Sequence, residues 1–270
     1  RVQRLGPPHW RKYPAGAAFE QIAGATEAHR ENLAFIGARL IAEDLRALGV
    51  TVDCLPVLDV PVEGGHNVIG DRAYGRDPDT VARLGAAAAR GLMAGGVLPV
   101  MKHVPGHGRA GADSHLELPV VTASRAELEA SDIAPFRACA GLPAAMTAHV
   151  VYTALDPDCP ATTSPIVIRD IVRGRIGFDG LLMSDDLSMK ALSGSFREKA
   201  EALVAAGVDM ALHCNGDLTE AGAVAEGTPL LAGDALRLAE AALACVRAPV
   251  EDFDPVDAWA QLETGLAMIA

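Results

Sequence analysis

Apolar and polar positions along the chain repeat in a simple order: an alanine-rich amphipathic segment, a glycine, and a short apolar run. Apolar residues spaced three or four apart predict helices, and short apolar runs predict buried strands. The predicted helices cover 31–48, 80–94, 125–140, 164–175 and 198–206. The predicted strands cover 51–58, 97–101, 144–150, 180–184 and 208–213. Glycine follows each predicted helix, where it can end the helix in the left-handed conformation.

Strands that alternate with helices predict a parallel sheet. Five such units in succession, each strand followed by polar residues, favour an α/β fold of the (β/α)8 TIM-barrel type. A doubly wound sheet is the alternative, but no glycine-rich phosphate-binding turn follows any of these strands. From Leu218 onward the chain predicts a weakly patterned helical tail. No linker is visible, so we expect residues 1–270 to form a single domain.

Composition narrows the possible functions. Half of the residues are hydrophobic, and the net charge of −12 without a basic stripe argues against a nucleic-acid partner. The five cysteines lack metal-binding spacing, and we expect them to be reduced thiols of a cytoplasmic protein. The sequence shows no secretory signal and no apolar run long enough to cross a membrane, so no membrane partner is expected.

Titratable side chains that could take part in catalysis follow two of the predicted strands. One cation, three imidazoles and a carboxylate fall between Lys102 and His115. Pro105, Gly106 and Gly108 exclude a helix there, so this stretch is predicted to be a loop. Asp185 and Asp186 follow the apolar run of another strand. Polar side chains at the ends of buried parallel strands indicate an active site.

A metal site is one alternative interpretation of the histidines. His103 and His107 are four residues apart, and Asp113 and His115 follow. That spacing brings two imidazoles onto one metal when they lie on a helix, which Pro105 does not permit here. A metal-dependent TIM-barrel hydrolase stays open as an alternative, and so does an inactive fragment that only binds amino sugars. Our main prediction includes no metal and no organic cofactor.

Several motifs together resemble glycoside hydrolase family 3, and within it the NagZ-like bacterial β-N-acetylglucosaminidases. The matching segments are Lys102-His103, Pro105-Gly106-His107-Gly108, Asp113-Ser114-His115 and Ser184-Asp185-Asp186-Leu187-Ser188-Met189. Supporting matches are Pro56-Val57-Leu58-Asp59-Val60, Ile69-Gly70-Asp71-Arg72 and Ala148-His149-Val150-Val151-Tyr152. The order and approximate spacing of these segments also fit. The resemblance extends to about Asn215 and fades after it.

The resemblance implies a role for each matching residue. Asp185 would be the catalytic nucleophile, and His115 paired with Asp113 would be the acid and base. The residues that would bind the sugar are Lys102, His103, Arg72 and, as a weaker match, Arg4. The implied activity is that of a retaining exo-β-N-acetylglucosaminidase acting on muropeptides in peptidoglycan recycling. The aglycone preference, the choice between water and phosphate as acceptor, and the oligomeric state stay open.

Other polar residues at the strand ends are expected to have structural roles. Asp186 should point away from Asp185 and tie down the turn that follows. His107 should brace the loop rather than touch the substrate. Asp59 and His149 are expected to satisfy backbone groups.

The first four residues, Arg1 to Arg4, resemble the end of the family's Asp-Gln-Glu-Gly-Gly-Arg-Val-Gln-Arg segment. This resemblance implies that the chain lacks the first one or two strands of the barrel. A gap beside the strand over 51–58 is therefore expected, with unpaired strand edges and an apolar interior partly open to water. Such edges predict a poorly soluble or inactive isolated chain.

Overall fold

Five parallel strands form the central sheet of the computed structural model, which describes residues 5–250 and 252–269. The strands of the chain are β1 (Val52–Asp53), β2 (Leu98–Val104), β3 (Val120–Val121), β4 (Ala144–Thr147), β5 (Val151–Tyr152), β6 (Leu181–Asp186) and β7 (Met210–Leu212). The central sheet has the order β1-β2-β4-β6-β7, and β3 pairs with β5 in a small parallel sheet of its own. The predicted parallel sheet is thus confirmed.

Helices connect the strands and lie on both faces of the sheet. They are α1 (Gly16–Glu20), α2 (Glu27–Ala47), α3 (Pro78–Ala94), α4 (Arg125–Glu127), α5 (Ala134–Ala138), α6 (Phe196–Ala206), α7 (Leu218–Glu226), α8 (Gly233–Arg247) and α9 (Pro255–Leu266). The chain forms π-helical turns at Leu128–Asp132 and Val167–Ile176, and 3₁₀ turns at Gly70–Arg72 and Ala161–Thr163. Gly177 and Gly207 follow their helices with positive φ, as predicted for glycine at a helix end.

Two predicted elements differ from those observed. The strand predicted over 51–58 is reduced to Val52–Asp53 and an isolated bridge between Val57 and Lys102. The helix predicted over 125–140 is divided into three short pieces, of which the last contains Pro135. A proline has no backbone N–H to donate, so regular α-helical hydrogen bonding cannot continue through it.

The barrel is only partly formed by the described residues. The sheet is curled but open, with β1 and β7 as its two edges, whereas a closed (β/α)8 barrel was the expected parent fold. The five-stranded sheet of the described residues is therefore consistent with a partial barrel. The open edge at β1 lies where the gap was expected, next to the segment 51–58.

The inner face of the sheet is only partly open to water, because α8 packs on it while Met183, Met210 and Leu212 stay partly exposed. Leu238, Ala239 and Ala242 of α8 form one cluster with alternate residues of the strands. The strand residues of that cluster are Leu98, Val100, Ala144, Met146, Leu181, Met183, Met210 and Leu212. Side chains two apart on a strand share a face, so Lys102 and Asp185 lie on this same face, beyond the cluster. The tail predicted to be weakly patterned thus supports the floor of the site.

The opposite face of the sheet packs against the connecting helices. Met101, Ala145 and Leu182 of the strands contact a cluster that includes Phe136 and Leu203. At the amino-terminal side, α9 packs on α2 through Ala258 and Leu262. Within residues 5–250 and 252–269, every helix is too short or too polar to span a lipid bilayer.

Candidate active site

A cavity of about 100 Å³ opens at the carboxyl ends of β2 and β6. Its lining residues are Val68, Ile69, Arg72, Lys102, His103, His107, Ser114, His115 and Asp185. Five of the predicted site residues therefore meet at one place, although they come from three separate segments of the chain. The structure brings them together because the carboxyl ends of parallel strands meet at one edge of a sheet.

Asp185 stands at the end of β6 among cationic and polar neighbours. Its Oδ1 accepts the backbone N–H of Asp186 at 2.8 Å, and its Oδ2 lies 3.9 Å from Nε2 of His103. Burial alone would raise the pKa of this carboxyl. The charges of His103, His149 and Lys102 together with the Asp186 N–H outweigh burial and lower the pKa of Asp185. The carboxylate is therefore ionised at neutral pH, as a nucleophile must be.

Asp113 and His115 form a close pair on the loop after β2. Nδ1 of His115 donates to Oδ1 of Asp113 at 2.7 Å, and the same oxygen accepts the backbone N–H of His115 at 3.0 Å. The carboxylate of Asp113 is buried, whereas half of the His115 side chain is exposed at the mouth of the cavity. The pair leaves Nε2 of the imidazole free of Asp113, so this nitrogen can exchange a proton with a molecule in the cavity.

His107 holds this loop in place through two hydrogen bonds. Its Nε2 lies 3.1 Å from the hydroxyl of Ser114, and its backbone N–H donates to Oδ1 of Asp59 at 2.7 Å. Burial and the charge of His103 lower the pKa of His107 to about 4, so the ring is neutral in the folded protein. These contacts are those expected of a residue that braces the loop, and His107 also lines the cavity.

Close backbone approach fixes the beginning of the loop. A Cβ atom on Gly108 would lie 1.9 Å from the carbonyl oxygen of Val60, so only glycine fits there. Gly106 has a φ of +138°, and a Cβ atom on it would lie 2.8 Å from Cβ of Asp132. Arg109, next in the loop, donates from Nε to Asp132 at 2.6 Å. These contacts hold the loop that carries Asp113 and His115.

Arg72 and Lys102 present donors to the cavity. Nε of Arg72 is buried without a hydrogen-bond partner in the described part of the chain, while Nη1 reaches the carbonyl of Val68 at 3.4 Å. A buried donor without a partner is costly, and a hydroxyl-rich ligand would supply the missing acceptor. Arg4, the remaining predicted sugar-binding residue, lies outside the described residues.

The acidic neighbour of Asp185 has the structural role that was predicted. Asp186 accepts the backbone N–H and the hydroxyl of Ser188 at 3.0 and 2.5 Å, which ties down the turn after β6. His149 is buried, with Nδ1 2.8 Å from the hydroxyl of Thr162 and Nε2 3.2 Å from the carbonyl of Asp186. Both residues therefore support the strand end rather than line the cavity.

The histidines are not arranged as a metal site. The rings of His103 and His107 lie edge to face at 5.6 Å, and each has its own hydrogen-bond partner, Asp59 and Ser114 respectively. Across residues 5–250 and 252–269, no group of three or more His, Cys, Asp or Glu side chains is placed to share an ion.

A larger depression of about 420 Å³ lies between α2 and α9, away from these residues. Its lining combines apolar positions with the neutral or weakly basic side chains of His29, Asn32, Gln261 and Thr264. It contains no carboxylate and no residue from a strand end. The smaller cavity is therefore the place where catalytic chemistry is possible.

Sequence reasoning gave no role to Ser114, Val68 or Ile69, all of which line the cavity. In the sequence, Ser114 was notable only as the residue between Asp113 and His115. Ile69 begins the Ile69-Gly70-Asp71-Arg72 motif and Val68 directly precedes it, and that position in the sequence was the available signal.

Comparisons with known proteins show the family to which the chain is similar. The sequence profile described as "Glycosyl hydrolase family 3 N terminal domain" matches residues 9–242. A "Beta-hexosaminidase" of Tolumonas auensis is 42% identical over 230 residues, covering 83% of this chain and 66% of the relative. A "Beta-hexosaminidase" of Alkalilimnicola ehrlichii is 41% identical over 219 residues, covering 80% of this chain and 62% of the relative. The chain thus spans somewhat less than two thirds of the length of these relatives.

Similarity also extends to a solved structure. NagZ from Neisseria gonorrhoeae, in complex with N-trifluoroacetyl-D-glucosamine, superimposes with a TM-score of 0.81 and 34% sequence identity. The match covers 97% of this chain and 77% of that one.

Proposed function

The chain belongs to glycosyl hydrolase family 3, and from this premise we propose that it is a retaining exo-β-N-acetylglucosaminidase. The observation that carries the proposal is one cavity lined by both Asp185 and His115, with Asp113 hydrogen-bonded to the imidazole. A retaining glycosidase needs these two functions, a nucleophilic carboxylate and a proton donor, on either side of one glycosidic bond. We further propose that residues 1–270 act as one catalytic domain.

In the first step an oxygen of Asp185 attacks the anomeric carbon, and the bond from that carbon to the glycosidic oxygen breaks. The proton on Nε2 of His115 goes to the departing oxygen, so the aglycone leaves as a neutral alcohol. The enzyme then holds the sugar as an ester of Asp185. Asp113 keeps the imidazole oriented and stabilises its charged form before the proton is transferred.

In the second step His115 takes a proton from water, and the water oxygen attacks the anomeric carbon. The ester bond breaks, Asp185 returns as a carboxylate, and the sugar leaves with its original β configuration. A histidine suits both steps because its unperturbed pKa lies close to neutral pH. A neutral base also avoids placing a second anion beside Asp185.

The donors around the cavity support a sugar as the ligand. Lys102, His103 and Arg72 are proposed to hydrogen-bond its hydroxyl groups, and Arg4 is a further candidate. Terminal N-acetylglucosamine is the proposed sugar, since the relatives are named β-hexosaminidases and the NagZ structure contains an N-acylated glucosamine. A muropeptide substrate in cytoplasmic peptidoglycan recycling is the biological role that we propose on the same basis.

Hydrolysis of an aryl N-acetyl-β-glucosaminide tests the proposal. The protein that contains residues 1–270 should release the phenol, and NMR of the first product should show the β anomer. The assay run with and without phosphate identifies the acceptor. Release of the α anomer first, or turnover that is abolished by a chelator, would contradict the mechanism.

A further inference from the structure

Asp59 is fully buried beneath the candidate active site and accepts three hydrogen bonds. Oδ1 takes the backbone N–H groups of His103 at 3.1 Å and His107 at 2.7 Å. Oδ2 lies 2.7 Å from Nδ1 of His103. A single carboxylate therefore fixes the main chain at two points of the Lys102–His107 segment and also the ring of His103.

The hydrogen of the His103 ring can be assigned from its partner. Burial alone would raise the pKa of Asp59, but its interactions with His103 and His107 lower that pKa to about 2. An ionised carboxylate can only accept, so Nδ1 of His103 is the donor in the 2.7 Å contact. This contact aims the opposite ring nitrogen, Nε2, at Oδ2 of Asp185, 3.9 Å away.

We propose that Asp59 is a positioning residue for the reaction: it holds the His103 ring so that Nε2 faces the nucleophile Asp185. Asp59, His103 and Asp185 thus form a continuous line from the buried end of the site to the reacting carboxylate. The inference rests on the proposed glycosidase function. It adds to the expected sugar-binding role of His103 a second role, which is to hold and to keep ionised the group that attacks the sugar.

Other charged or titratable groups also face this line, so the effect of Asp59 must be separated from theirs. Asp185 interacts electrostatically or through hydrogen bonds with Lys102, His149, Asp186, His107, Cys54 and Cys214. His107 also faces His103 and Asp59. Since His103 is the first of the groups that lower the pKa of Asp185, displacing its ring should raise that pKa. The acid limb of the pH profile of kcat/KM, in which activity falls as the pH is lowered, should then move to higher pH.

The test compares Asp59→Asn, His103→Gln and the double variant on an activated aryl N-acetyl-β-glucosaminide. We expect Asp59→Asn to lower kcat/KM by about 10- to 100-fold, as for other carboxylates that orient a functional histidine. The loss should lie mainly in kcat, with the acid limb shifted upward. If Asp59 acts through His103, the double variant should be no slower than His103→Gln alone. Losses that multiply, or an unmoved acid limb, would overturn the proposal.

Asp156→Asn is the matched control for removing a buried carboxylate. Asp156 also accepts backbone N–H groups, those of Asp158 and Cys159, but it has no contact with the cavity lining. This variant should keep the wild-type acid limb, and a similar shift in it would overturn the assignment to Asp59.

A measurement on the unmodified protein keeps the inference testable if Asp59→Asn does not fold. Nitrogen-15 NMR should find a hydrogen on Nδ1 of His103, and a bare Nδ1 would overturn the proposed geometry. This result does not depend on activity. An unmodified chain with no glycosidase activity but with the Nδ1 hydrogen would therefore contradict the proposed function and leave the Asp59–His103 contact supported.

Discussion

Nδ1 of His115 lies 2.7 Å from the buried Oδ1 of Asp113, and His115 lines the same cavity as Asp185. This arrangement assigns opposite tasks to the two edges of one ring. The inner edge is held by the carboxylate, and the outer edge is available to a leaving group. If His115 is the proton donor that we propose, it matters most when the leaving group is a poor one.

Replacing His115 by alanine should therefore slow different substrates unequally. An activated phenolate departs with little help from an acid, whereas an alkyl or sugar alkoxide needs protonation. We expect the loss in kcat/KM to be about 10²–10⁴-fold for unactivated glycosides, the usual contribution of a general acid, and much smaller for nitrophenyl glycosides. Asp113→Asn should also lower kcat/KM more for unactivated glycosides than for nitrophenyl glycosides, but both losses should be smaller than for His115→Ala. Equal losses on both substrate types would instead indicate a purely positional role for His115.

Replacing Asp185 by alanine should abolish turnover of aryl glycosides while the protein stays folded. The change removes the attacking oxygen, so a rate loss of about 10³-fold or more is expected, comparable with the loss of a central residue in other catalytic groups. The natural comparison is Asp186→Ala, which removes the acceptor for Ser188. Circular dichroism and steady-state kinetics of both variants decide the matter. A severe kinetic loss in the Asp186 variant beside a mild one in the Asp185 variant would reverse the assignment.

Replacing Leu238 by aspartate tests whether α8 supports the floor of the site. Leu238 is 8% exposed and contacts the inner face of the sheet, so a carboxylate there loses apolar packing and becomes buried without a partner. We expect a loss of about 3 kcal/mol in the free energy of unfolding, measured with urea. Leu236 on the same helix is 38% exposed. Leu236→Asp should cost less than about 1 kcal/mol, as is usual for surface changes. Equal costs would show that α8 does not pack on the sheet in solution.

Replacing His107 by glutamine should change how stability depends on pH. Burial lowers the pKa of His107 to about 4 from the model-compound value of 6.5, so the unfolded chain binds its proton more readily than the folded protein. This group therefore stabilises the fold fully above pH 6.5, and its contribution is lost as the pH falls toward 4. The expected loss is about 3 kcal/mol over that window. Urea unfolding of the wild type at several pH values should show it, and His107→Gln should flatten the dependence.

An exposed histidine supplies the control for this measurement. His29 lies on the surface of α2, and His29→Gln removes an imidazole without touching the loop. If the two glutamine variants showed the same pH dependence of stability, burial of His107 would not be its cause.

Much of the fold was predictable because its signals are local. The helix and strand periodicities and the glycines that follow the helices indicated parallel strands before any contact was known. From the same order it followed that Lys102 and Asp185 would meet, since parallel strands present their carboxyl ends at one edge. The pairing of Asp113 with His115 was accessible for the same reason, as only Ser114 separates the two residues.

The position of α8 and the line from Asp59 through His103 to Asp185 were decided only by the tertiary structure. An alanine-rich helix shows from its sequence which side is apolar, but many surfaces can bury Leu238, Ala239 and Ala242 equally well. The curl of the sheet selects the inner face for them. Asp59 is 44 residues from His103 in the chain, and it was expected only to satisfy backbone groups. Its contact with the ring exists because the segment after β1 runs beside β2, with a bridge between Val57 and Lys102. Side-chain geometry across such neighbouring segments is fixed by packing rather than by any local pattern.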